Sequence, residues 1–478
     1  PEGLPASLLT PVPEALLVLL ERTFRHRVAL SLDQLAAELG AAPGLLEPAL
    51  ELLRARGRLV PVPWREDGPP RLSHPEVAAR VLRGQRARQR AEIVARPAAA
   101  LARFSLGWHG IGARGALSLE EAVERLEGLP LPVSELLGRI LPMRVAGFRP
   151  EQLDLLGMQG KLLWVGRGRL GSSDGRVLLL RREQVALLPP VSEEEPSPLA
   201  CAVLDLLERR GACFLVELQA GLAARSEAIA EAIWELVWAG RVSNDSVAPL
   251  VGLGSSRARP GGGRWSSLVA LRAPPEPTAL ALARARMLLH RHGVVSADHA
   301  LAEDLPGGIG GLIPVFDHLE EAGALRRGHV IEGLDGVQRA LPLALAAIQR
   351  DEGGRGPVVL AAIDPANPWG LSLPWPASGG EASPRRAAGA TVVLHDGEPL
   401  LFVDSGGRSV CTFAPLAEAA LAKPAVAALA AHLGRYAMSG LRVERVDGHP
   451  ARAAPAFEAL RAAGFGLGRE GLVLDARL

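Results

Sequence analysis

The chain has 478 residues, 48% of them hydrophobic and 22% charged, and its 53 basic and 52 acidic side chains leave a formal net charge of +1. This is the composition of an ordinary globular protein and excludes wholesale disorder, while the length predicts roughly three to five domains. Three cysteines without a CxxC pair exclude a disulfide framework and a cysteine-rich zinc site.

The sequence contains no segment suited to a membrane. No stretch reaches the roughly 18 unbroken apolar residues that a membrane-spanning helix requires. The first 20 residues lack a basic region and are interrupted by prolines, so they do not form a signal peptide. We therefore expect a cytoplasmic protein. Because the first residue is Pro1 rather than methionine, we interpret the chain as a segment of a longer protein.

A repeated unit predicts the helices of the first 350 residues. A helical stretch ending in Leu, three further residues and Gly precedes a short apolar strand at four places, with the glycines at positions 57, 160, 240 and 323. Glycine adopts the left-handed conformation that ends a helix. Shorter helices with Ser31 and Ser296 as N-caps precede two of these stretches. Helix, short helix, longer helix and strand hairpin is the order of a winged helix.

From about residue 355, short apolar runs separated by turn signals predict strands. Asp396-Gly397 and Gly406-Gly407 are typical of hairpin turns. The predicted fold class is α+β, with tandem winged helices followed by a small β-barrel-like domain. The predicted domains are a winged helix with a basic connector (1–97), a winged-helix-like unit (98–197), two winged helices (198–273 and 274–350) and the β-barrel-like domain (351–478).

Familiar catalytic motifs are either absent or stand in a sequence that does not suit their usual function. Gly166, Gly168 and Gly171 match GxGxxG, but a strand rather than a helix follows, which favours a hairpin tip over a dinucleotide site. Arg167 and Arg169 at this tip are candidates for phosphate contacts. The sequence has no P-loop, HExxH or GxSxG motif. We expect no ATPase activity from this chain, no metal and no cofactor.

Arginine dominates the basic residues, since only Lys161 and Lys423 are lysines. A GC-rich coding sequence accounts for part of this bias, but the guanidinium fork is also the better phosphate ligand. A run of arginines between positions 80 and 96 is either a DNA contact or an exposed helix between domains. The remaining candidate DNA-binding residues lie in a glycine-rich loop and a second short segment, where a solvated loop is the alternative: Arg257, Arg259, Arg264, Arg326 and Arg327.

Two carboxylates follow predicted strands. Asp364 begins the segment DPANPWG, which predicts a rigid bend and places Trp369 where it could pack or stack on a base. Asp475 follows the last predicted strand, close to the end of the sequence. A structural bend and a solvated terminal acid are the alternatives to a functional role.

Five blocks within residues 130–420, taken in this order, resemble the C-terminal region of bacterial large helicase-related (Lhr) proteins. They are residues 142–166 (PMRVAGFRPEQLDLLGMQGKLLWVG), 232–245 (AIWELVWAGRVSND), 263–266 (GRWS), 332–338 (EGLDGVQ) and 364–370 (DPANPWG).

The resemblance implies a region that follows a superfamily-2 helicase core. In that family the region is an array of winged helices with a β-barrel. It forms a homo-oligomer, a tetramer where known, and uracil-DNA glycosylase activity has been attributed to the family. The region is similar in architecture to winged-helix DNA glycosylases of the AlkZ/YcaQ type. Helicase motifs are missing here, as is the AlkZ-type Gln-apolar-Gln motif, because Gln85 and Gln89 are too far apart.

We therefore expect a DNA-binding, oligomerising module of an Lhr-type DNA-repair helicase, associated with the nucleoid, with uracil excision as its candidate activity. Its expected partners are single-stranded or duplex DNA, further copies of the chain, and a helicase core in the same or a separate chain. A glycosylase extrudes the base and needs a carboxylate, for which Asp475 and Asp364 are the candidates. The alternative is a non-catalytic scaffold that only oligomerises and positions a helicase core, which the near-zero net charge favours.

Overall fold

The computed structural model describes residues 14–62, 71–112, 117–253, 261–272, 276–380, 383–436 and 438–476. The chain divides into two compact units, Pro1–Ile93 and Val94–Leu478. No helix in these described ranges is long and apolar enough to cross a membrane.

The first unit is a small helical domain with one hairpin. Its core consists of apolar side chains from the first three helices, among them the buried Leu20, Phe24 and Leu46. Ser31 caps the second helix as predicted, because its side chain accepts from the Gln34 backbone N–H. The elements are α1 (Ala15–His26), α2 (Leu32–Leu39), α3 (Pro43–Ala55), β1 (Val60–Val62), β2 (Arg71–Ser73) and α4 (Pro75–Ala91).

The second unit begins with a helical array that leads into a long antiparallel hairpin. The hairpin strands pair Trp164 with Leu179, and a third short strand extends the sheet. The helices are α5 (Ala98–Trp108), α6 (Leu119–Leu126), α7 (Val133–Glu135), α8 (Leu141–Arg144) and α9 (Glu151–Met158), with a π-helical turn (Leu136–Ile140) between α7 and α8. The strands are β3 (Leu131–Pro132), β4 (Leu162–Leu170) and β5 (Asp174–Arg181).

Three helices follow, and then two paired strands with a fourth, short helix between them. Trp265 of the second of these strands is fully buried and packs edge-to-face on Trp164 of β4, with ring centroids 6.1 Å apart. One hydrophobic core therefore joins this segment to the preceding hairpin. The elements are α10 (Pro198–Arg210), α11 (Leu215–Leu222), α12 (Ser226–Trp238), β6 (Val242–Asn244), α13 (Ala248–Val251) and β7 (Trp265–Ser267).

A further set of helices and short strands occupies residues 277–349. Its core contains Leu288, Leu289 and Phe316, and its three strands form one antiparallel sheet. The elements are α14 (Pro277–His292), β8 (Val294–Val295), α15 (Ala297–Ala302), α16 (Ile313–Glu321), β9 (Arg326–Gly328), β10 (Gln338–Ala340) and α17 (Pro342–Gln349).

The C-terminal segment is β-rich, as predicted, with one long helix packed on its sheets through residues such as Val426 and Leu429. The strands are β11 (Pro357–Ala361), β12 (Thr391–His395), β13 (Glu398–Val403), β14 (Ser409–Thr412), β15 (Leu441–Val443), β16 (Arg445–Val446), β17 (His449–Pro450), β18 (Gly466–Leu467) and β19 (Leu472–Leu474). The helices are α18 (Ala419–Arg435) and α19 (Phe457–Ala463).

The predicted small barrel is not confirmed. The larger sheet has the order β11-β12-β13-β14-β16-β17, and its two outer strands do not pair within the described residues. A separate sheet has the order β15-β19-β18. Strands β16 and β17 are only two residues long, too short to carry the sheet round to β11 as a closed barrel requires.

Candidate nucleic-acid interface

The hairpin formed by β4 and β5 carries the first pair of predicted DNA-binding residues. Arg167 and Arg169 are exposed near its tip, and Arg167 donates to the Pro190 carbonyl oxygen at 3.1 Å. Arg169 has no hydrogen-bond or ion-pair partner in the ranges that the structure covers. Its guanidinium therefore offers all its donors to a ligand.

A third exposed arginine on this hairpin was missed by sequence reasoning. Arg176 of β5 lies opposite the irregularity in β4 between Gly166 and Arg169. The available signal was a charged residue directly before the apolar run 177–180, since that run and Gly175 are buried whereas Arg176 is exposed. The hairpin thus groups Arg167, Arg169 and Arg176 on one short, solvent-facing stretch.

The GxGxxG segment is a strand of this hairpin, as the sequence predicted, and its first glycine has a packing role. A Cβ atom at Gly166 would overlap the Val237 carbonyl oxygen of α12, and one at Gly175 would overlap the Trp238 ring. These close approaches hold the hairpin against α12, which fixes the direction of its exposed arginines.

The glycine-rich loop gives a mixed result. Arg257 and Arg259 lie outside the described residues. Arg264 is paired with Asp245: its Nε donates to Oδ2 at 2.8 Å and its backbone N–H donates to Oδ1 at 2.6 Å. A carboxylate at this distance offsets the charge that Arg264 would present to a phosphate.

The arginines of β9 also have partners. Arg326 donates to the carbonyl oxygens of Gly323 and Leu325. Arg327 lies 3.4 Å from an Asp317 oxygen and 3.3 Å from a Glu320 oxygen. Arg326 therefore keeps its net charge, whereas Arg327 is largely neutralised.

The run of arginines at 80–96 falls mainly on α4. Ala78 is the buried residue of this helix, and Arg80, Arg83 and Arg88 are exposed. The run is thus an exposed basic helix, and both a DNA contact and a position between domains stay predictions. Arg96 lies beyond the helix and donates to the Asp351 carbonyl oxygen at 2.6 Å.

Asp364 is wholly buried and is held by Arg144. The two side chains form a bidentate ion pair with N–O distances of 2.9 and 2.6 Å, and both are fully buried. The Ala366 backbone N–H donates to the same carboxylate at 2.8 Å. Both carboxylate oxygens of Asp364 thus accept hydrogen bonds within the protein. The buried carboxylate stabilises the DPANPWG bend and is not accessible to a substrate.

Asp475 is exposed immediately after β19. It lies beside Gly440: a Cβ atom there would be 3.6 Å from Asp475 Oδ1 and 2.7 Å from the Leu474 carbonyl oxygen. Gly440 also lines a cavity of about 80 Å³. Of the two predicted carboxylates, Asp364 is therefore buried in an ion pair, whereas Asp475 is exposed to solvent.

Comparison with known proteins places these features in a family. Residues 96–182 and 274–357 match models of winged-helix domains of the large helicase-related protein, the third and the fourth of its series. The chain is 31% identical to the Lhr helicase/probable uracil glycosylase of Mycolicibacterium smegmatis over 94% of its own length and 32% of the relative. It is also 31% identical to the Lhr helicase/uracil glycosylase of Escherichia coli, over 99% of the chain and 34% of the relative. The chain spans about a third of the length of these relatives.

Proposed function

We propose that this chain, which belongs to the large helicase-related (Lhr) family and corresponds to the C-terminal region of its members, binds DNA and excises uracil from it. The observation that carries DNA binding is the β4–β5 hairpin, because it presents Arg169 and Arg176 to solvent on a scaffold fixed by α12. Arginine side chains on such a hairpin can bind backbone phosphates without reading sequence.

Asp475 supports the excision step. The base must leave the stack before its glycosidic bond can be reached. The bond between uracil N1 and the sugar C1′ then breaks, the base leaves with the electron pair, and a water oxygen bonds to C1′. The exposed carboxylate of Asp475 would stabilise the positive charge that develops on the sugar and accept a proton from the water.

The test is alkali-labile site formation on DNA strands that contain a single uracil, both unpaired and in duplex. We expect cleavage by the unaltered chain and its loss in Asp475→Asn. Glu470→Gln is the matched control, because Glu470 is an exposed carboxylate at the opposite end of β19 from Asp475 and its removal should leave cleavage intact. Equal cleavage by Asp475→Asn would remove Asp475 from the mechanism.

Self-association is a second part of the proposal. Leu301 and Leu343 are 80% and 76% exposed, but singly exposed apolar side chains are also normal on a monomer, so this part of the proposal rests on the analogy with the family. We expect a homo-oligomer, a tetramer by analogy with the family, and light scattering at several protein concentrations gives the mass directly. A monomeric mass at all concentrations would contradict this part.

The alternative function is a scaffold that positions a helicase core without touching DNA. The pairing of Arg264 and Arg327 with carboxylates favours it, since paired charges attract phosphate weakly. Binding of DNA by this chain alone, at moderate salt, decides between the two.

A further inference from the structure

A cavity of about 530 Å³ lies between β11 and one face of α18. Its walls include Met143, Val358 and Ala428, with His432, Arg435 and Tyr436 at the C-terminal end of the helix. The volume is within the range of roughly 300–1,000 Å³ that small-molecule sites occupy, and a mostly apolar wall with a few convergent polar groups is typical of them.

One corner of the cavity is aromatic. The rings of His432 and Tyr436 have centroids 4.7 Å apart and planes inclined by 54°, so a flat ligand can lie on one ring while its edge meets the other. Tyr436 is the only tyrosine of the chain. Burial raises the pKa of its hydroxyl, which therefore stays protonated and can donate a hydrogen bond at neutral pH.

His432 brings a polar atom without a partner into this corner. The residue is 7% exposed, and its Nε2 is buried with no hydrogen bond in the part of the chain that the structure describes. Burial, with the nearby Arg139 and Arg435, lowers its pKa to about 4, so the ring is neutral at pH 7 and can act as donor or acceptor. A buried polar atom left without a partner is costly, and among the side chains that line this cavity His432 is the one that carries such an atom in the described structure.

The charge around the cavity is positive. Arg435 is exposed at its edge, and none of the described lining residues carries a carboxylate. The neighbouring Arg139 is engaged with Glu135 at 2.6 and 2.5 Å, which leaves Arg435 as the cation positioned for an anion outside the cavity. A flat heterocycle attached to an anionic group matches these features, and a nucleotide has both.

We propose that this cavity binds one unpaired nucleobase of a DNA strand, stacked on Tyr436 beside the His432 ring and with its phosphate on Arg435. The proposal goes beyond excision, because the cavity and Asp475 lie on different sides of α18. The lining residues Ala428, His432 and Arg435 share one face of the helix, whereas Gly434 faces the carbonyl oxygen of Ala476, the residue after Asp475. The cavity would hold the strand while chemistry takes place elsewhere.

The first experiment uses the unaltered chain and a short oligothymidylate in which one base is 5-iodouracil. Irradiation should attach this base to the peptide that contains Tyr436, as mass spectrometry of the digest would reveal. Excess thymidine 5′-monophosphate should compete, whereas ribose 5-phosphate, which has no base, should not. Attachment only at other peptides would overturn the proposal, and so would binding of the mononucleotide without any binding of the strand.

Affinity measurements on variants give an independent test. Stacking of a base on an aromatic ring corresponds to roughly 5- to 100-fold in affinity, so Tyr436→Ala should weaken oligothymidylate binding by that factor. Tyr436→Phe keeps the ring and should stay within a few-fold of the unaltered chain. Phe214→Ala, which removes a half-exposed ring elsewhere, is the matched control and should have no effect.

Each outcome separates this proposal from the proposed function. If Tyr436→Ala binds the strand normally while Asp475→Asn abolishes excision, the cavity has no role and the excision proposal stands. If Tyr436→Ala loses strand affinity while Asp475→Asn cleaves normally, the cavity is a base site and the excision mechanism is wrong.

Discussion

At the scale of single residues, the fully buried ion pair between Arg144 and Asp364 connects the helical segment before β4 to the end of β11. Its members are 220 positions apart in the sequence. A buried ion pair offsets its own desolvation only while both partners are present, and removal of one partner typically costs about 3–5 kcal/mol. Asp364 therefore stabilises the fold through its ion pair with Arg144.

We expect Asp364→Asn to lower the thermal unfolding midpoint strongly, because Arg144 would keep its charge without a counter-charge. The double variant Arg144→Met with Asp364→Leu should lose less stability than the sum of the two single changes. Differential scanning calorimetry of Arg144→Met, Asp364→Leu and the double variant measures this coupling, and the Asp364→Asn variant is measured in the same way. An Asp364→Asn variant with an unchanged midpoint and no uracil excision would instead place Asp364 in catalysis.

A second prediction at this scale concerns pH. Burial, with nearby arginines and His292, holds the pKa of His109 well below its usual value of 6.5, and burial does the same for His299. Both rings stay neutral in the folded chain, so the unfolded chain takes up their protons first as pH falls below 6.5. The contribution of the two neutral rings to the free energy of unfolding is complete above pH 6.5. Below that pH it declines by at most about 1.4 kcal/mol per pH unit for each ring.

Unfolding midpoints between about pH 7 and pH 5 measure this decline. His109→Phe should flatten it, since both ring nitrogens of His109 lack partners in the described structure and no hydrogen bond is lost. His449→Phe changes an exposed ring and should leave the pH profile unchanged.

Glu303 acts at lower pH. Because its pKa is lowered to about 2, its contribution to the free energy of unfolding is lost only as pH falls from about 4.5 towards 2.

At the scale of elements, the hairpin of β4 and β5 depends on its contact with α12. We expect Gly166→Ala to lower the unfolding midpoint, because the added methyl group meets the Val237 carbonyl oxygen and overpacking of this kind costs about 1–3 kcal/mol. Gly138→Ala is the control, since a Cβ atom there meets nothing within 4 Å. Equal midpoints for the two variants would contradict the tight contact.

Local signals in the sequence predicted most of these elements. The four repeat glycines at 57, 160, 240 and 323 all have positive φ, as helix-ending C′ residues require. Asp396 and Gly397 both have positive φ at the turn between β12 and β13, as expected of a hairpin turn of type I′. These features depend on neighbouring residues alone, which is why a single sequence reveals them.

Features that depend on distant residues were not predictable in this way. The partner of Asp364 is 220 positions away, and that of Arg264 is 19 positions away, so neither exposure nor pairing could be read from the local sequence. The open larger sheet has the same cause, because strand order and closure follow from pairing between β14 and the distant β16. The cavity at Tyr436 likewise joins four separate segments of chain.

At the scale of the whole molecule, the net charge of +1 means that any attraction to DNA is local. Of the candidate arginines in the described ranges, Arg264 and Arg327 are paired with carboxylates, whereas Arg169 has no partner there. Few counterions would therefore be released on binding. Affinity should come from a small number of phosphate contacts rather than from a broad positive field.

This distribution of charge predicts a shallow dependence of DNA affinity on salt. With about two to four phosphate contacts, the logarithm of the binding constant should fall with the logarithm of salt concentration with a slope of roughly −2 to −4. Arg169→Gln should reduce the magnitude of that slope by about 1 and weaken binding to all sequences alike. Arg264→Gln should change the slope little, since Asp245 already offsets its charge. Fluorescence anisotropy of a labelled duplex across a salt series measures all three slopes.

A chain that binds no DNA at any salt concentration would favour the scaffold. Equal slopes for Arg169→Gln and the unaltered chain would mean that the DNA contact lies outside the β4–β5 hairpin.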